Sequence, residues 1–256
     1  MAAPAGTNPQ RRLTAPIVTS KGPSMSELLP GVYLVDDVAM PGRPGTVNVA
    51  LLVASDGTAT LVDAGFPGIA DKLQNTLDEA GIPPAAVRRV IVTHHHPDHT
   101  GGLPEVVAMT GAEVWAHVDD ADLIDGTTPR QPPAGAPAGV SAAMHGVTPA
   151  PVDLRLVGGE TLAVLGGCRV LHTPGHTPGH VSLFLPRLSL LIPGDILRYV
   201  DGAVTRAPAA YTADAQSNET SIAALAEFEF ERMLPYHGDF LDADASNRFR
   251  ANLGLG

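Results

Sequence analysis

Short runs of apolar residues, broken by turn-forming residues, dominate the first half of the chain. They predict strands at residues 31–35, 46–54, 58–62, 87–93 and 113–116. An Asp56-Gly57 pair separates the second and third runs, and such a pair between two apolar runs favours a β-hairpin. Residues 90–93 are all β-branched, which is typical of a buried strand.

Helical spacing is clearest over residues 69–80, where apolar side chains recur every fourth residue and Gly81 follows as a C-cap. Residues 103–110 predict a second, shorter helix that ends at Gly111. The first half therefore predicts three strands, a helix, a strand, a loop, a helix and a strand. This order is typical of an α/β protein whose mixed sheets carry helices on their outer faces.

The second half opens with an irregular segment, residues 126–150, in which Pro, Ala and Gly dominate and periodicity is lost. Such a long irregular segment is typical of a lid, a binding loop or an insertion. Strand patterns resume at residues 154–157, 161–164, 169–172, 181–185 and 188–192. Residues 221–229 predict a helix, and a polar stretch follows to the end of the chain.

Composition and charge exclude several classes of protein. Acidic residues number 27 against 16 basic ones, for a net charge of −11, which disfavours a nucleic-acid partner. No apolar run approaches the roughly 18 residues of a membrane span. The single cysteine, Cys168, excludes an internal disulfide framework and a multi-thiolate zinc site. We therefore expect a cytoplasmic protein with a small-molecule substrate and no membrane partner, and leave open whether it forms a homodimer.

The first 26 residues differ from the rest of the chain. They contain three basic residues and no acidic one, and they lack the apolar core of a secretory signal. Their Ala, Pro, Thr and Ser content predicts a disordered tail, with a transit peptide as the alternative. We expect the folded domain to span residues 27–256.

The strongest chemical signal is the loop from Thr93 to Gly102, which places three consecutive histidines, a proline, an aspartate and a fourth histidine after a buried strand. His94 and His96 are two residues apart, so in an extended segment their rings point the same way and can bind one ion. Asp98 and His99 follow the proline and can face a second ion. Neutral imidazole and carboxylate suit zinc and neighbouring transition metals.

Other segments offer further ligands at strand ends or in Gly-rich turns. Three candidate segments are residues 172–180, 193–195 and 235–239, and each contains histidine, aspartate or both. A metal site assembled from these distant stretches would require them to meet at one edge of the fold.

These residues resemble the metallo-β-lactamase superfamily. The loop matches the family's His-x-His-x-Asp-His motif, and the later ligand positions match His176, Asp195 and His237. The resemblance extends from about Gly31 to Phe240. It implies an αββα sandwich, in which two mixed β-sheets pack face to face between helices and the metals lie at one edge.

The resemblance also implies a role for each matched residue. One ion would be held by His94, His96 and His176. The second would be held by Asp98, His99 and His237, and Asp195 would bridge the two. Asp63 matches the family's supporting aspartate, which orients a ligand histidine. The two divalent ions would most simply be zinc, with manganese and iron as alternatives.

The implied activity is hydrolysis by a hydroxide that bridges the two metals, with Asp98 also accepting a hydrogen bond from it. The bridging carboxylate at Asp195 resembles the glyoxalase II and lactonase-like branch and suggests a small ester, lactone or thioester as substrate. Lactonases carry Tyr three residues after that aspartate, whereas this chain has Arg198 followed by Tyr199. These two residues and His180 are candidate substrate contacts.

Three alternatives remain open from the sequence. Iron in the same site would support a persulfide dioxygenase-like oxidoreductase, and the hydrolase could act on β-lactams or phosphodiesters. A non-catalytic binding module with the same fold is the third. Outside the motif, we expect surface or loop positions for His95, His117 and His145, and a buried position for Cys168.

Overall fold

The computed structural model describes residues 27–35, 38–42, 45–131 and 146–255. Its larger sheet has seven strands that follow one another in chain order. These strands are β1 (Glu27–Leu29), β2 (Val32–Leu34), β3 (Ala50–Val53), β4 (Ala59–Val62), β5 (Val87–Val92), β6 (Glu113–His117) and β7 (Leu154–Leu156). The first four pair antiparallel, and β4 to β7 pair parallel.

The second sheet has five strands in the order β14-β11-β10-β9-β8. They are β8 (Thr161–Leu162), β9 (Cys168–His172), β10 (Val181–Leu185), β11 (Leu190–Ile192) and β14 (Arg232–Met233). Only the β11–β14 pair is parallel. A separate hairpin joins β12 (Leu197–Val200) to β13 (Ala203–Arg206).

Helices cover the outer faces of the two sheets. In the described residues they are α1 (Ile69–Ala80), α2 (Pro97–Thr100), α3 (Leu103–Thr110), α4 (Val118–Asp125), α5 (Ala215–Leu225) and α6 (Ala245–Leu253). None of these helices has the length and apolar character needed to cross a membrane.

Strand alternation divides the apolar side chains among three cores. Leu51 on β3 packs with α1 and α3 in one core, whereas its neighbour Leu52 faces the second sheet in the central core. On β10, Leu183 likewise points into the central core and Phe184 packs outward against α5 and α6. Because successive strand residues point to opposite faces, each sheet is buried on both sides. The result is the expected αββα sandwich.

Several predicted elements are confirmed to the residue. The helix over 69–80 ends at Gly81, which adopts a left-handed conformation with φ 69° as its C-cap. The helix over 103–110 and the strand over 181–185 also have the predicted bounds. These elements were predictable because their signals are local: the periodicity of the buried face and a glycine at the end.

The predicted helix over 221–229 is wrong at both ends, since α5 covers 215–225. Asp214 caps it, with its Oδ1 accepting hydrogen bonds from the backbone N–H groups of Gln216 and Ser217. Its first turn is polar, so the apolar pattern alone placed the start too late. The sequence patterns also gave no prediction of α4, α6 or the β12–β13 hairpin.

The predicted strand over residues 46–54 begins in the sheet only at Ala50. The residues just before it pair with another segment instead. Val47 forms a bridge with His237, and the Asn48 N–H donates to the Tyr236 carbonyl. The Asn48 side chain donates two more hydrogen bonds, to the carbonyls of Pro235 and Gly238. This segment therefore holds the loop that carries the last candidate ligand.

Three predictions fall wholly or mainly outside the described residues. These are the disordered tail over residues 1–26, the central part of the irregular segment, 132–145, and the surface or loop position of His145. The predicted domain span of 27–256 and the role of residues 126–150 as a lid stay predictions.

Candidate metal centre

The candidate centre lies where two parallel strands end. Asp63 directly follows β4, and Thr93 and His94 directly follow β5, so both lie at the carboxyl edge of the larger sheet. Asp63 has φ 62°, in the left-handed region that Asp tolerates better than most residues. That turn leaves its carboxylate facing the start of the histidine loop.

The histidine loop then folds into a short helix. His96 keeps an extended backbone, and Pro97 begins α2. The first position of a helix suits proline, because an N–H group there would have no hydrogen-bond partner within the helix. Gly102 follows where the loop packs on its neighbours: a Cβ at this position would collide with the Ala64 carbonyl oxygen. The glycine therefore lets the loop approach the turn after β4.

The remaining candidate ligands come from the second sheet. His176 lies in the turn between β9 and β10, Asp195 follows β11, and His237 follows β14. All three are buried. The structure thus brings together four stretches that are far apart in the sequence.

A three-histidine group is formed by His94, His96 and His176. Their ring centroids lie 4.6 to 4.7 Å apart, and their planes meet at 71° to 86°. The His96 Nδ1 and His176 Nε2 atoms are 3.0 Å apart. One nitrogen from each ring lies within 4.8 Å of the other two, so the three lone pairs can converge on one ion.

A mixed group is formed by Asp98, His99, Asp195 and His237, whose ligand-type atoms also lie within 4.8 Å of one another. His237 Nε2 is 3.3 Å from Asp98 Oδ2 and 3.2 Å from Asp195 Oδ2. His99 Nε2 is 3.5 Å from Asp195 Oδ1. Asp195 also reaches the other group, since its Oδ2 is 3.6 Å from His176 Nε2.

Buried atoms without hydrogen-bond partners support metal binding here. His94 Nε2, His99 Nε2 and Asp195 Oδ1 are buried and make no hydrogen bond within the described residues. Such atoms are costly unless something satisfies them, and a divalent ion would do so. Burial also lowers the pKa of His94 far below its usual value and that of His96 to about 3, which keeps these rings neutral, as ligation requires.

In the mixed group, neighbouring charges rather than burial determine the direction of the pKa shifts. Burial alone would lower the pKa of His99, but the carboxylates of Asp63, Asp98 and Asp195 outweigh it and raise that pKa well above its usual value. Burial would raise the pKa of Asp98, yet the His99 and His237 rings lower it to about 2. The His237 and His99 rings likewise lower the pKa of Asp195, so Asp98 and Asp195 are ionised and attract positive charge, which a metal ion would supply.

Asp63 contacts the mixed group from the side of the larger sheet. Its carboxylate accepts a hydrogen bond from Thr93 N–H at 2.7 Å and lies 2.9 Å from His99 Nδ1. The Thr93 hydroxyl also contacts it, at 2.9 and 3.0 Å. A proton on His99 Nδ1 leaves the lone pair on Nε2, the atom that faces Asp98 and Asp195.

Tyr236 is a supporting residue that the sequence did not reveal. Its hydroxyl donates to the Asp98 carbonyl, and its ring lies 3.7 Å from that of His99. Tyr236 directly precedes His237, but a tyrosine next to a histidine carries no recognisable signal. Its contact with Asp98 spans 138 positions of sequence and forms only when the fold closes.

The three candidate substrate contacts differ in position. Arg198 lines a cleft of about 350 Å³ together with His237, and its Nη2 lies 3.6 Å from Asp195 Oδ2. The Tyr199 hydroxyl instead accepts a hydrogen bond from Arg248, and its ring packs on the third core. His180 is fully buried: its Nε2 accepts from Asp195 N–H and its Nδ1 contacts Thr173. His180 therefore holds the Asp195 backbone rather than facing the cleft.

Two histidines expected at surface or loop positions are buried, His95 in the loop after β5 and His117 at the end of β6. His95 packs inward with its Nδ1 at 2.9 Å from Asp120, and His117 stacks on His172 with centroids 3.9 Å apart and planes at 15°. Side-chain alternation predicts that His95 points away from His94 and His96. That direction leads into the protein interior rather than into solvent.

His117, Asp119 and His172 also form a group with metal-ligand atoms. We assign no ion to it, because rings stacked face to face direct their in-plane lone pairs along two separate, nearly parallel planes rather than at one point. Cys168 is buried, as predicted.

Comparisons with known proteins agree with this geometry. A family model described as the metallo-beta-lactamase superfamily matches residues 42–237. The chain therefore belongs to the metallo-beta-lactamase superfamily, and its relatives include proteins named as hydrolases.

Among these relatives, a hydroxyacylglutathione hydrolase from Cereibacter sphaeroides is 32% identical over 153 residues, covering 59% of this chain and 48% of that protein. The probable metallo-hydrolase YqgX of Bacillus subtilis is 32% identical over 162 residues, covering 62% and 69%. A metallo-beta-lactamase family protein from Thermus thermophilus has a TM-score of 0.67 at 29% identity, covering 88% of this chain and 79% of that one. The chain spans only 48% of the length of the hydroxyacylglutathione hydrolases from Cereibacter sphaeroides that it matches.

Proposed function

We propose that this protein is a dinuclear metal-dependent hydrolase of small esters, lactones or thioesters. The observation that carries the proposal is the convergence of seven ligand-type side chains into two adjacent groups, with Asp195 in contact with both. Imidazole and carboxylate donors favour zinc, and manganese and iron are alternatives to be tested.

The ligand roles proposed for these residues follow from their positions. The three-histidine group would hold one ion, and Asp98, His99 and His237 would hold the other, with Asp195 between them. Two such ions would lower the pKa of a bound water toward about 7 and polarise the substrate's carbonyl oxygen.

Asp98 has a second proposed role, as a hydrogen-bond acceptor for the attacking water. Its side chain is 18% exposed, the most exposed of the mixed group, and the low pKa of its carboxyl group keeps it ionised. An ionised oxygen beside the cleft can accept a hydrogen bond from the attacking water and orient it. His99 and His237 flank that carboxylate. Asp63 holds His99, and the backbone contacts of Val47 and Asn48 hold the loop of His237.

The substrate class is supported by the cleft and the relatives. The cleft beside His237 is about 350 Å³, with Met40 and Val200 as apolar walls and Arg198 as its cation. We propose that Arg198 contacts the substrate and that Tyr199 and His180 support the site instead. Relatives named hydroxyacylglutathione hydrolase favour an acyl bond as the target. A cytoplasmic location and a homodimer stay predictions.

The test is a substrate panel measured on one preparation. Zinc, manganese and iron forms of the full chain are assayed against acyl thioesters, lactones, carboxylic esters, phosphodiesters and β-lactams, with the chelated protein as the blank. We expect the first three classes to be hydrolysed, chelation to abolish turnover, and Asp98→Asn to lose most of it. The exposed variant Asp122→Asn is the control and keeps full activity.

Three outcomes would overturn the proposal. Undiminished turnover after chelation would exclude a metal-dependent reaction. Turnover confined to phosphodiesters or β-lactams would assign another substrate class. Oxygen uptake by an iron form, without hydrolysis by any form, would indicate the dioxygenase-like chemistry instead.

A further inference from the structure

Asp120 is a buried carboxylate outside the two ligand groups, at the start of α4. Its Oδ2 accepts hydrogen bonds from the backbone N–H and the Nδ1 of His95, both at 2.9 Å, and from the Thr177 hydroxyl at 2.8 Å. Its Oδ1 accepts from Gly179 N–H at 2.7 Å. Four donors from two separate loops thus converge on one side chain.

Each of these donors is next to a candidate ligand or its support. His95 lies between His94 and His96, and Thr177 directly follows His176. Gly179 directly precedes His180, whose ring holds the Asp195 backbone. Asp120 therefore joins the histidine loop to the turn between β9 and β10, the two stretches that supply the three-histidine group.

The packing around Asp120 leaves little freedom. A Cβ at Gly179 would lie 2.5 Å from the Asp120 backbone nitrogen and 2.7 Å from its Cβ, so this position accepts only glycine without movement. The pKa of Asp120 is about 2: burial would raise it, but the bonds from His95, Thr177 and Gly179 outweigh that effect. The carboxylate is thus ionised and fully used by its donors.

We propose that Asp120 is a positioning residue that sets the spacing of His96 and His176 and thereby the affinity of the three-histidine group for its ion. This inference rests on the proposed dinuclear function. Asp63 lies behind the mixed group, where its carboxylate contacts His99 directly and also Thr93, whose hydroxyl reaches His94. Asp63 and Asp120 would then be two buried carboxylates that support the ligands without binding an ion themselves.

Metal binding by each group can be measured separately when a ligand of the other group is removed. His237→Ala leaves the three-histidine group intact, and His94→Ala leaves the mixed group intact. Asp120→Asn is introduced into each background, and the metal-free full chain is titrated with Co²⁺ against a competing chelator. The Co²⁺ absorption spectrum reports the ligand geometry independently of activity.

We expect Asp120→Asn to weaken Co²⁺ binding by about 10-fold in the His237→Ala background, the lower end of the range for partners bonded directly to a metal ligand, because Asp120 acts through the residues next to His96 and His176. Its spectrum should change there as well. Binding in the His94→Ala background should be unchanged. Asp122→Asn, an exposed carboxylate on the same helix, is the matched control and should change neither.

A second pair of variants covers the case in which Asp120→Asn fails to fold. Thr177→Val removes one donor to the carboxylate and should weaken the three-histidine group by a smaller factor. Thr177→Ser keeps the hydroxyl and should restore it.

Equal losses in both backgrounds would mean that Asp120 supports the fold as a whole, and unchanged binding by folded variants would mean that it positions nothing. Either result overturns the inference and leaves the proposed function standing. If the parent backgrounds bind no Co²⁺ at all, the proposed metal centre itself fails.

Discussion

Asp63→Asn tests whether Asp63 fixes the tautomer of His99 that the mixed group needs to bind its ion. The carboxylate accepts from Thr93 N–H on one oxygen and faces His99 Nδ1 with the other. Asparagine has the same shape but only one acceptor oxygen. If that oxygen stays on Thr93, the amide NH₂ faces His99 Nδ1, which must then accept a hydrogen bond.

The consequence is a change of tautomer at His99. Its proton moves to Nε2, the atom 3.5 Å from Asp195 Oδ1 and therefore the one expected to ligate. We expect binding at the mixed group to weaken by about 10- to 100-fold, equivalent to about 1.4–2.7 kcal/mol. Losing a charge-assisted hydrogen bond should also lower the unfolding free energy of the metal-free chain by about 1.5–3 kcal/mol.

The assay is a metal titration in the His94→Ala background, where only the mixed group remains, with Asp122→Asn as control. Chemical denaturation of the metal-free proteins gives the stability change separately. Parent affinity in the Asp63→Asn variant would refute the tautomer argument. A loss of the same size in the His237→Ala background would contradict a specific effect on His99 and would show that Asp63 supports both groups, with His94 held through the Thr93 hydroxyl.

Three further predictions concern stability. Leu61→Ala should lower the unfolding free energy by about 2–5 kcal/mol because it opens a cavity at a fully buried site, whereas Val157→Ala, 66% exposed, should change it by less than about 0.5 kcal/mol; similar denaturation midpoints would contradict this. Asp214→Ala removes the α5 cap and should cost about 1 kcal/mol, and an unchanged melting temperature would count against the cap. Asp120 has a folded pKa of about 2 against an ordinary 3.8, so its stabilisation is complete above about pH 3.8 and is lost as pH falls toward 2. The stability gap between the parent and Asp120→Asn should narrow by about 1 kcal/mol from about pH 5 to about pH 3, and a constant gap would contradict it.

The extent to which sequence predicts this molecule depends on how local each signal is. The helix over 69–80 carries its own periodicity and its own glycine end, and the histidine loop carries its ligand-type residues within six consecutive positions, 94–99. Both could be predicted without knowing the rest of the fold. The later ligands could be placed only through a family resemblance, because nothing within each stretch fixes its partner.

The supporting residues show where that reasoning stops. Asp120 meets partners 25 to 59 positions away, and Tyr236 meets one 138 positions away. Neither has a pattern that distinguishes it from a surface aspartate or a core tyrosine. His95 shows the related error: alternation gave the direction of its side chain, but only the packing of α4 against the loop shows that this direction is buried.

The proposed centre requires Asp195 to bind two ions at once, one in each group. Anomalous diffraction at the zinc edge, from crystals of the zinc-loaded full chain, tests it directly. We expect two peaks about 3.5–4 Å apart, one among His94, His96 and His176 and the other beside Asp98, His99 and His237, each about 2.0–2.2 Å from an oxygen of Asp195. A single peak, or two peaks with Asp195 beyond ligand distance of either, would contradict it.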